Sequence, residues 1–440
     1  EHGGSRNAYT SFEHTNYFFD IDPDHLEGAL DRFAQFFIAP NFDAGYVERE
    51  RNAVQAEYQM GLKSDGRRGL DVLQATMNPA HPFSQLAVGS LETLADRDDA
   101  PVRDDILAFY EAHYSANIMR LAVIGREPLD ELESMARSMF AAVPNRDAAL
   151  ATIDEPLFID AQLPMLLTVQ PTGTLQDLQV NFQIPDYRSE YDAKPLSYVA
   201  SLVGHEGEGS LLSQLKEENL AEGLSAGAGL QWRGGQLFSV NVSLTDQGVE
   251  NYERVLQLLF SYLDMLREGA PQERIFREQA ALSELAFRFQ EPRPPISTVA
   301  SITNAMHYYD DADILVGAYL MERFAPELIT AALDDLRADR AQVVLTAPGV
   351  ATDTVSPYYG VAYAQRGPEA VMLSRWRSDA DAPELHLPEP NPFIAEDLAL
   401  EPLAEDNPAV PAVRLETQRK RLWHRQATDF RVPKGAVFVS

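Results

Sequence analysis

The chain has 440 residues, 45% of them hydrophobic, enough to bury substantial cores and to fill two or three domains. Its net charge of −31 speaks against a nucleic-acid partner, which needs clustered Lys and Arg, and against adhesion to an anionic membrane. With no cysteine, disulfides and thiolate chemistry are excluded, any metal site must draw on His, Asp and Glu, and cytoplasm and periplasm are both compatible.

Residues 7–22 predict a hairpin, because N-A-Y-T-S and T-N-Y-F-F-D-I-D have an aromatic and β-branched bias on either side of the polar break Phe12-Glu13-His14. Leu26, Ala29, Leu30, Phe33 and Phe37 then follow helical spacing. Asn41-Phe42-Asp43 offers a cap for a second helix over Tyr46–Met60, continuing toward Leu62. On it Glu50 and Glu57 stand close to two turns apart, so they project the same way, with Val54 between them. From spacing alone, Glu-Arg-Glu-Arg reads as a solvated, ion-paired face, and two acids flanking an apolar residue read as one wall of a cleft.

Beyond the basic pair Arg67-Arg68, N-P-A-H-P-F from Asn78 to Phe83 is a loop. Next come a helix over Asp104–His113, a strand over Ile118–Ile124 and a helix over Leu129–Phe140. A helix and strand recur at Pro326–Leu336 and Gln342–Thr346, the pattern of an internal duplication. Pro144 to Pro164 reads as a linker, which divides the chain into domains 1–150 and 151–440.

The second domain restarts with strands P-M-L-L-T-V and L-Q-V-N-F-Q-I-P. A helix over Leu196–Val203 runs into the glycine-rich turn Gly204–Ser210, followed by a short helix over Leu211–Asn219. A hairpin of Ser225–Trp232 and Gln236–Leu244 leads to helices over Val249–Glu268 and Gln272–Gln290. After Pro348 the chain reads as irregular and Pro-rich. The expected class is α+β, two homologous domains, each a largely antiparallel sheet flanked by helices.

Five segments carry a resemblance to a known family: E-R-E-R-N-A-V-Q-A-E, G-G-S-R-N-A-Y-T-S-F-E-H-T-N-Y-F-F-D, N-P-A-H-P, H-E-G-E-G-S-L-L-S and L-P-E-P-N-P-F-I. In this order they resemble the pitrilysin and insulin-degrading-enzyme branch of the inverted-motif zinc peptidases, across the whole chain. The resemblance implies the first half of a clamshell that closes around short unfolded peptides and hydrolyses their internal bonds. That family binds zinc with H-x-x-E-H and a Glu on a later helix, the Glu inside the motif acting as general base. By resemblance Glu57 is the distal Zn2+ ligand and Glu50 a supporting acid that orients the site. Asn7, Ala8 and Tyr9 match the edge strand that pairs with the substrate backbone. Gly204, His205 and Glu206, with Leu224, Ser225, Ala226 and Gly227 alongside, match the place that captures a substrate's N-terminus. The bland alternatives are an ordinary hairpin strand and a glycine-rich helix end with His205 as its cap. His14 and His81 read as structural, Trp232 and Trp423 as packing residues.

No H-x-x-E-H occurs here, and no two of the nine histidines lie within four residues of each other. The resemblance therefore implies a chain that starts just downstream of the zinc motif. Alone, it is expected neither to hold catalytic zinc tightly nor to hydrolyse peptides, and to leave apolar surface open in domain one. The parent is expected to be a zinc metalloendopeptidase completed by a C-terminal half. A non-catalytic peptide-binding or scaffold homologue is the competing expectation.

Overall fold

The computed structural model describes residues 2–405, 407–428 and 432–439. β1 (Arg6–Thr10) and β2 (Thr15–Phe19) form the expected antiparallel hairpin, with Arg6 opposite Phe19 and Thr10 opposite Thr15. α1 (Leu26–Ile38) buries Leu30 and Ala34 and sets Phe33 against Phe19 at a ring separation of 5.0 Å. α2 (Ala44–Gly61) starts where Asp43 accepts the Gly45 and Tyr46 amides at 2.9 and 3.3 Å, satisfying donors that a helix start leaves bare. α3 (Asp65–Thr76) is capped by Ser64 and absorbs the Arg67-Arg68 pair into its first turns. α4 (Val102–His113) and α5 (Leu129–Phe140) match the expected helices.

The strand expected over Ile118–Ile124 is not formed. Residues 119–125 follow a 3-10 turn and pair with no strand among the described residues. β propensity is realised only where another strand supplies ladder partners, and the β1–β2 hairpin stands as a sheet of two. A cleft of about 1430 Å³ opens beside it, walled by Leu26, Leu30, Phe33, Val123, Phe140 and Ile296.

The second region is closed. It comprises β3 (Met165–Val169), β4 (Asp177–Ile184), α6 (Pro195–Val203), α7 (Leu211–Glu217), β5 (Ala221–Trp232), β6 (Gly235–Leu244), α8 (Asp246–Glu250), α9 (Tyr252–Gly269), α10 (Glu273–Arg288), α11 (Pro295–Ala305) and α12 (Pro326–Asp335). After these come β7 (Ala341–Thr346), β8 (Thr354–Val355), β9 (Ala362–Arg366) and α13 (Ala370–Trp376). An exposed hairpin of β10 (Ala412–Glu416) and β11 (Arg421–His424) ends the regular structure. Seven strands form one sheet in the order β5-β6-β4-β7-β3-β9-β8, antiparallel except for the β3–β7 pair. The fold is thus α+β with antiparallel sheets flanked by helices. The chain after Pro348 is more regular than its proline content implied, since β8 and β9 complete this sheet.

The strand period of two sorts the core. Leu178, Val180 and Phe182 of β4 meet Val240 and Val242 of β6 and Leu256, Leu259 and Leu263 of α9. On β3, Leu166 faces that cluster, while Met165, Leu167 and Val169 face the other side, against Val72 of α3 and Tyr359. Within the expected linker, Leu157 and Phe158 are buried with Met77, Phe83 and Trp232. The first region is therefore fastened to the back of the second region's sheet. Among the described residues no helix is long and apolar enough to cross a membrane.

Candidate functional site

α2 packs through one side only. Gln55 Oε1 accepts the Leu91 amide at 2.8 Å, and Tyr58 hydrogen-bonds the Tyr358 carbonyl. A side chain on Gly89 would lie 3.5 Å from Val54, which places Val54 on the packed side. Glu50 and Glu57 are both exposed, and neither is in an ion pair among the described residues. The local pairing expected of Glu-Arg-Glu-Arg is made between Arg51 and Glu48 at 2.8 Å and leaves Glu50, between them, out. Among the described residues no three His, Asp or Glu side chains are placed to hold a metal ion. These residues by themselves do not fit a zinc site, since α2 offers two solvent-facing carboxylates and no imidazole.

Asn7, Ala8 and Tyr9 lie in β1, exposed along its length and, among the described residues, paired on one side only, with β2. Ser11 donates to the His14 carbonyl at 2.8 Å and Asp20 to that of Ser5 at 3.0 Å, which identifies the hydrogen-bonded rungs. Counting in twos, Asn7 and Tyr9 turn their backbone groups toward β2, and Arg6, Ala8 and Thr10 turn theirs to the open edge. The Ala8 amide is held at 2.9 Å by the Asn7 side-chain oxygen, a neutral cover that an incoming strand can displace. The inner face rests on α11. Asn16 donates to Tyr9 Oη at 3.3 Å and to the Ala300 carbonyl at 3.1 Å.

Gly204, His205 and Glu206 follow the C-terminus of α6, where the Gly204 amide donates to Ala200 at 2.8 Å. A Cβ on Gly204 would lie 3.0 Å from the Ala200 carbonyl and 3.7 Å from the Ala226 amide, so the turn passes close against β5. Leu224 and Ala226 stand there, partly buried against the core. Among the described residues β5 pairs only with β6, which leaves its other edge open beside the turn. His205 Nδ1 accepts the Gly207 amide at 3.1 Å, so the imidazole caps its own turn. Burial pulls the His205 pKa below its ordinary value, against the opposing pull of Glu206. Glu206 is exposed, a carboxylate free to meet a cation. The Pro-rich segment folds back here, with the His386 amide donating to the Gly209 carbonyl at 3.0 Å.

The structure therefore joins Gly204–Glu206 to Leu224 and Ala226, sets Asn7–Tyr9 on a separate edge, and leaves Glu50 and Glu57 apart on α2. Other residues were not singled out by sequence pattern. Glu13, in the β1–β2 loop, is mostly buried and bonded to Arg188 and to the Arg233 amide, both at 2.6 Å. Burial opposes ionisation of Asp186, but its bonds to Arg188 prevail and hold the carboxyl below the ordinary range. His14 reaches Tyr9 Oη at 3.4 Å and Tyr308 Oη at 3.5 Å, and burial lowers its pKa. A charged residue in a hairpin loop was the only sequence signal for this network.

Three family models match successive parts of the chain. They are "Insulinase (Peptidase family M16)" over residues 1–85, "Peptidase M16 inactive domain" over 101–282 and "Middle or third domain of peptidase_M16" over 287–440. The chain is 37% identical to the insulin-degrading enzyme of Homo sapiens over 99% of its own length and 43% of the relative's. It is 33% identical to the A-factor-processing enzyme of Saccharomyces cerevisiae, over 100% of this chain and 43% of that protein. It thus spans less than half the length of the curated relatives it matches. A crystal structure of pitrilysin superposes with a TM-score of 0.89 at 30% identity, covering 98% of this chain and 46% of that one. A protease from Helicobacter pylori, 17% identical, shares the fold at a TM-score of 0.60 over 79% of this chain and 82% of that one. Since the three matches lie in order over nearly all of its length, this chain belongs to the insulinase and pitrilysin family of peptidases.

Proposed function

We propose that this chain is the substrate-aligning part of a zinc metalloendopeptidase that hydrolyses internal bonds of short unfolded peptides. The observation that carries the reading is the pair of open strand edges, β1 and β5. An extended peptide adds to such an edge through its backbone, which suits unfolded substrates of varied sequence. On β1, the outward groups of Ala8 take the peptide backbone, with Asn7 and Tyr9 alongside. At the other edge, Glu206 pairs with the peptide's α-ammonium, and Gly204, His205, Leu224 and Ala226 shape the pocket for its first residues.

Residues 1–150 then form the peptidase-type domain and residues 151–440 its homologue with a Pro-rich extension. Glu57 contributes one ligand to the metal, and Glu50 orients the site from behind. The two imidazoles and the general base come from polypeptide outside these 440 residues, and a C-terminal half closes over the peptide. A zinc ion held there would supply an activated water, and this chain's own residues would bind and align the peptide.

The test uses the longer protein that contains this segment and an internally quenched unfolded peptide. Stoichiometric zinc and hydrolysis are expected, with both lost on chelation and in Glu57→Gln, and the 440-residue chain alone is expected to show neither. A Glu57→Gln protein with full zinc and full activity would remove Glu57 from the site. Peptide binding with no hydrolysis by the longer protein would favour the non-catalytic homologue.

A further inference from the structure

Glu13 lies at the tip of the β1–β2 hairpin, four residues beyond Tyr9, yet its side chain is only 12% exposed. One carboxylate oxygen accepts from Arg188 Nη1 at 2.6 Å, the other from the Arg233 amide at 2.6 Å. Both partners are fixed in the second region. Arg188 is clasped by Asp186 through Nε at 2.9 and 3.0 Å and Nη2 at 2.7 Å, and lies 5.7 Å from the centre of the Tyr308 ring. Arg233 occupies the turn between β5 and β6, and its carbonyl accepts the Ile153 amide at 2.8 Å. Gly234 follows with φ of +133°, and a Cβ there would sit 2.2 Å from the Ile153 carbonyl, so the turn is packed directly against the residue 153 backbone. A single carboxylate thus bridges the hairpin that carries one open edge to the end of the strand that carries the other.

Such a pair is a weak source of stability, because withdrawing two charges from water offsets most of their attraction. Its directional effect is stronger, since two short hydrogen bonds to fixed partners leave the hairpin tip one position. We propose that Glu13 is a positioning residue that locks the β1 edge to the β5 edge. A peptide held by its N-terminus at Gly204–Glu206 then meets β1 in one register. The inference rests on the peptide-aligning reading above and adds what sets the separation of its two contacts.

Hydrogen exchange on the 440-residue chain tests it, with and without an unstructured peptide that has a free N-terminus. In the unmodified chain the peptide slows exchange in residues 6–10 and in 221–228 together. In Glu13→Ala, protection of 221–228 remains and protection of 6–10 falls at least tenfold. Glu13→Gln, which still accepts one of the two bonds, and Arg188→Lys, which keeps the charge but loses the clasp, fall between. If Glu13→Ala also exchanges faster in residues 178–184 without peptide, its fold is damaged and the two milder variants decide. A merely structural brace would lower both protections in parallel, and that result, or full protection of both segments in all variants, overturns the proposal. Protection of neither segment in the unmodified chain removes the peptide-aligning reading itself, and this inference with it.

Discussion

The first region, through α5, and the second, from β3 through β9, share a helix-then-strand pattern in sequence and reach different outcomes. In the second, β4, β6, β7 and β3 all have a strand on each side, and residues of that sheet, α6, α9 and α12 share one buried cluster. In the first, the hairpin has one open edge on each strand, an expected strand remains unpaired, and the buried Leu30, Ala34, Tyr110 and Leu132 belong to none of the three core clusters. Burial depends on the neighbours a segment finds, and a pattern that faces a cleft stays half made. The candidate peptide-binding residues follow the same logic, since they sit where each region leaves an edge unfinished.

The largest test of this contrast is a pair of truncations. Phe182 of β4 is fully buried, and Phe182→Ala is expected to destabilise the chain by about 3–5 kcal/mol. Phe33 touches Phe19, Phe37 and Phe140 but borders the cleft, so Phe33→Ala is expected to cost about 1–2 kcal/mol, some of its surface being wet already. Urea midpoints at constant slope measure both. Equal losses would mean that the first region is as closed as the second.

The closed sheet also holds a carboxylate. Asp177 begins β4 between Ser243 and Thr346, and burial raises its pKa to about 6. The unfolded chain releases that proton near 3.8 while the folded chain keeps it until about 6, so this group's contribution to stability falls as pH rises through that window. Asp177→Asn is expected to match the parent below the window and to exceed it by roughly 2–3 kcal/mol at neutral pH. Thermal melts of the two proteins from pH 3 to pH 7.5 follow the difference, and a gap that does not change with pH would refute the buried-carboxylate account.

Much of this was legible in sequence where local chemistry decides. The Asp43 cap, the 3.6-residue spacing of α1 and the strand bias of β4 and β6 each name their element. α3 was not foreseen, because Gly66 and Gly69 weaken its helical signal, and its support comes from Asp71, whose carboxylate binds the Ser356 hydroxyl and, at 2.7 Å, the Tyr359 amide. The stretch 118–124 shows the opposite failure, strand propensity without a partner. For the site, the resemblance named Asn7–Tyr9 and Gly204–Glu206 as expectations, but Glu13 read as a break in a hairpin, since its partners lie 175 and 220 residues away.

The smallest expected effect separates two halves of α2 itself. Asp43→Ala removes the acceptor for the Gly45 and Tyr46 amides and is expected to cost about 1 kcal/mol. Exchange should quicken over residues 45–48, the turn before Glu50. It should not change near Glu57, because Gln55 holds the Leu91 amide, Tyr58 binds the Tyr358 carbonyl and Gly61 lies against the Tyr359 ring. The C-terminal half of α2 is therefore anchored both on the loop at Leu91 and on the closed region at Tyr358 and Tyr359, and its N-terminal half on its own cap. A residue proposed to hold a metal needs the first kind of support. Faster exchange along the whole helix would show that α2 melts as one unit, and Glu57 would then lack the rigid base that a ligand requires.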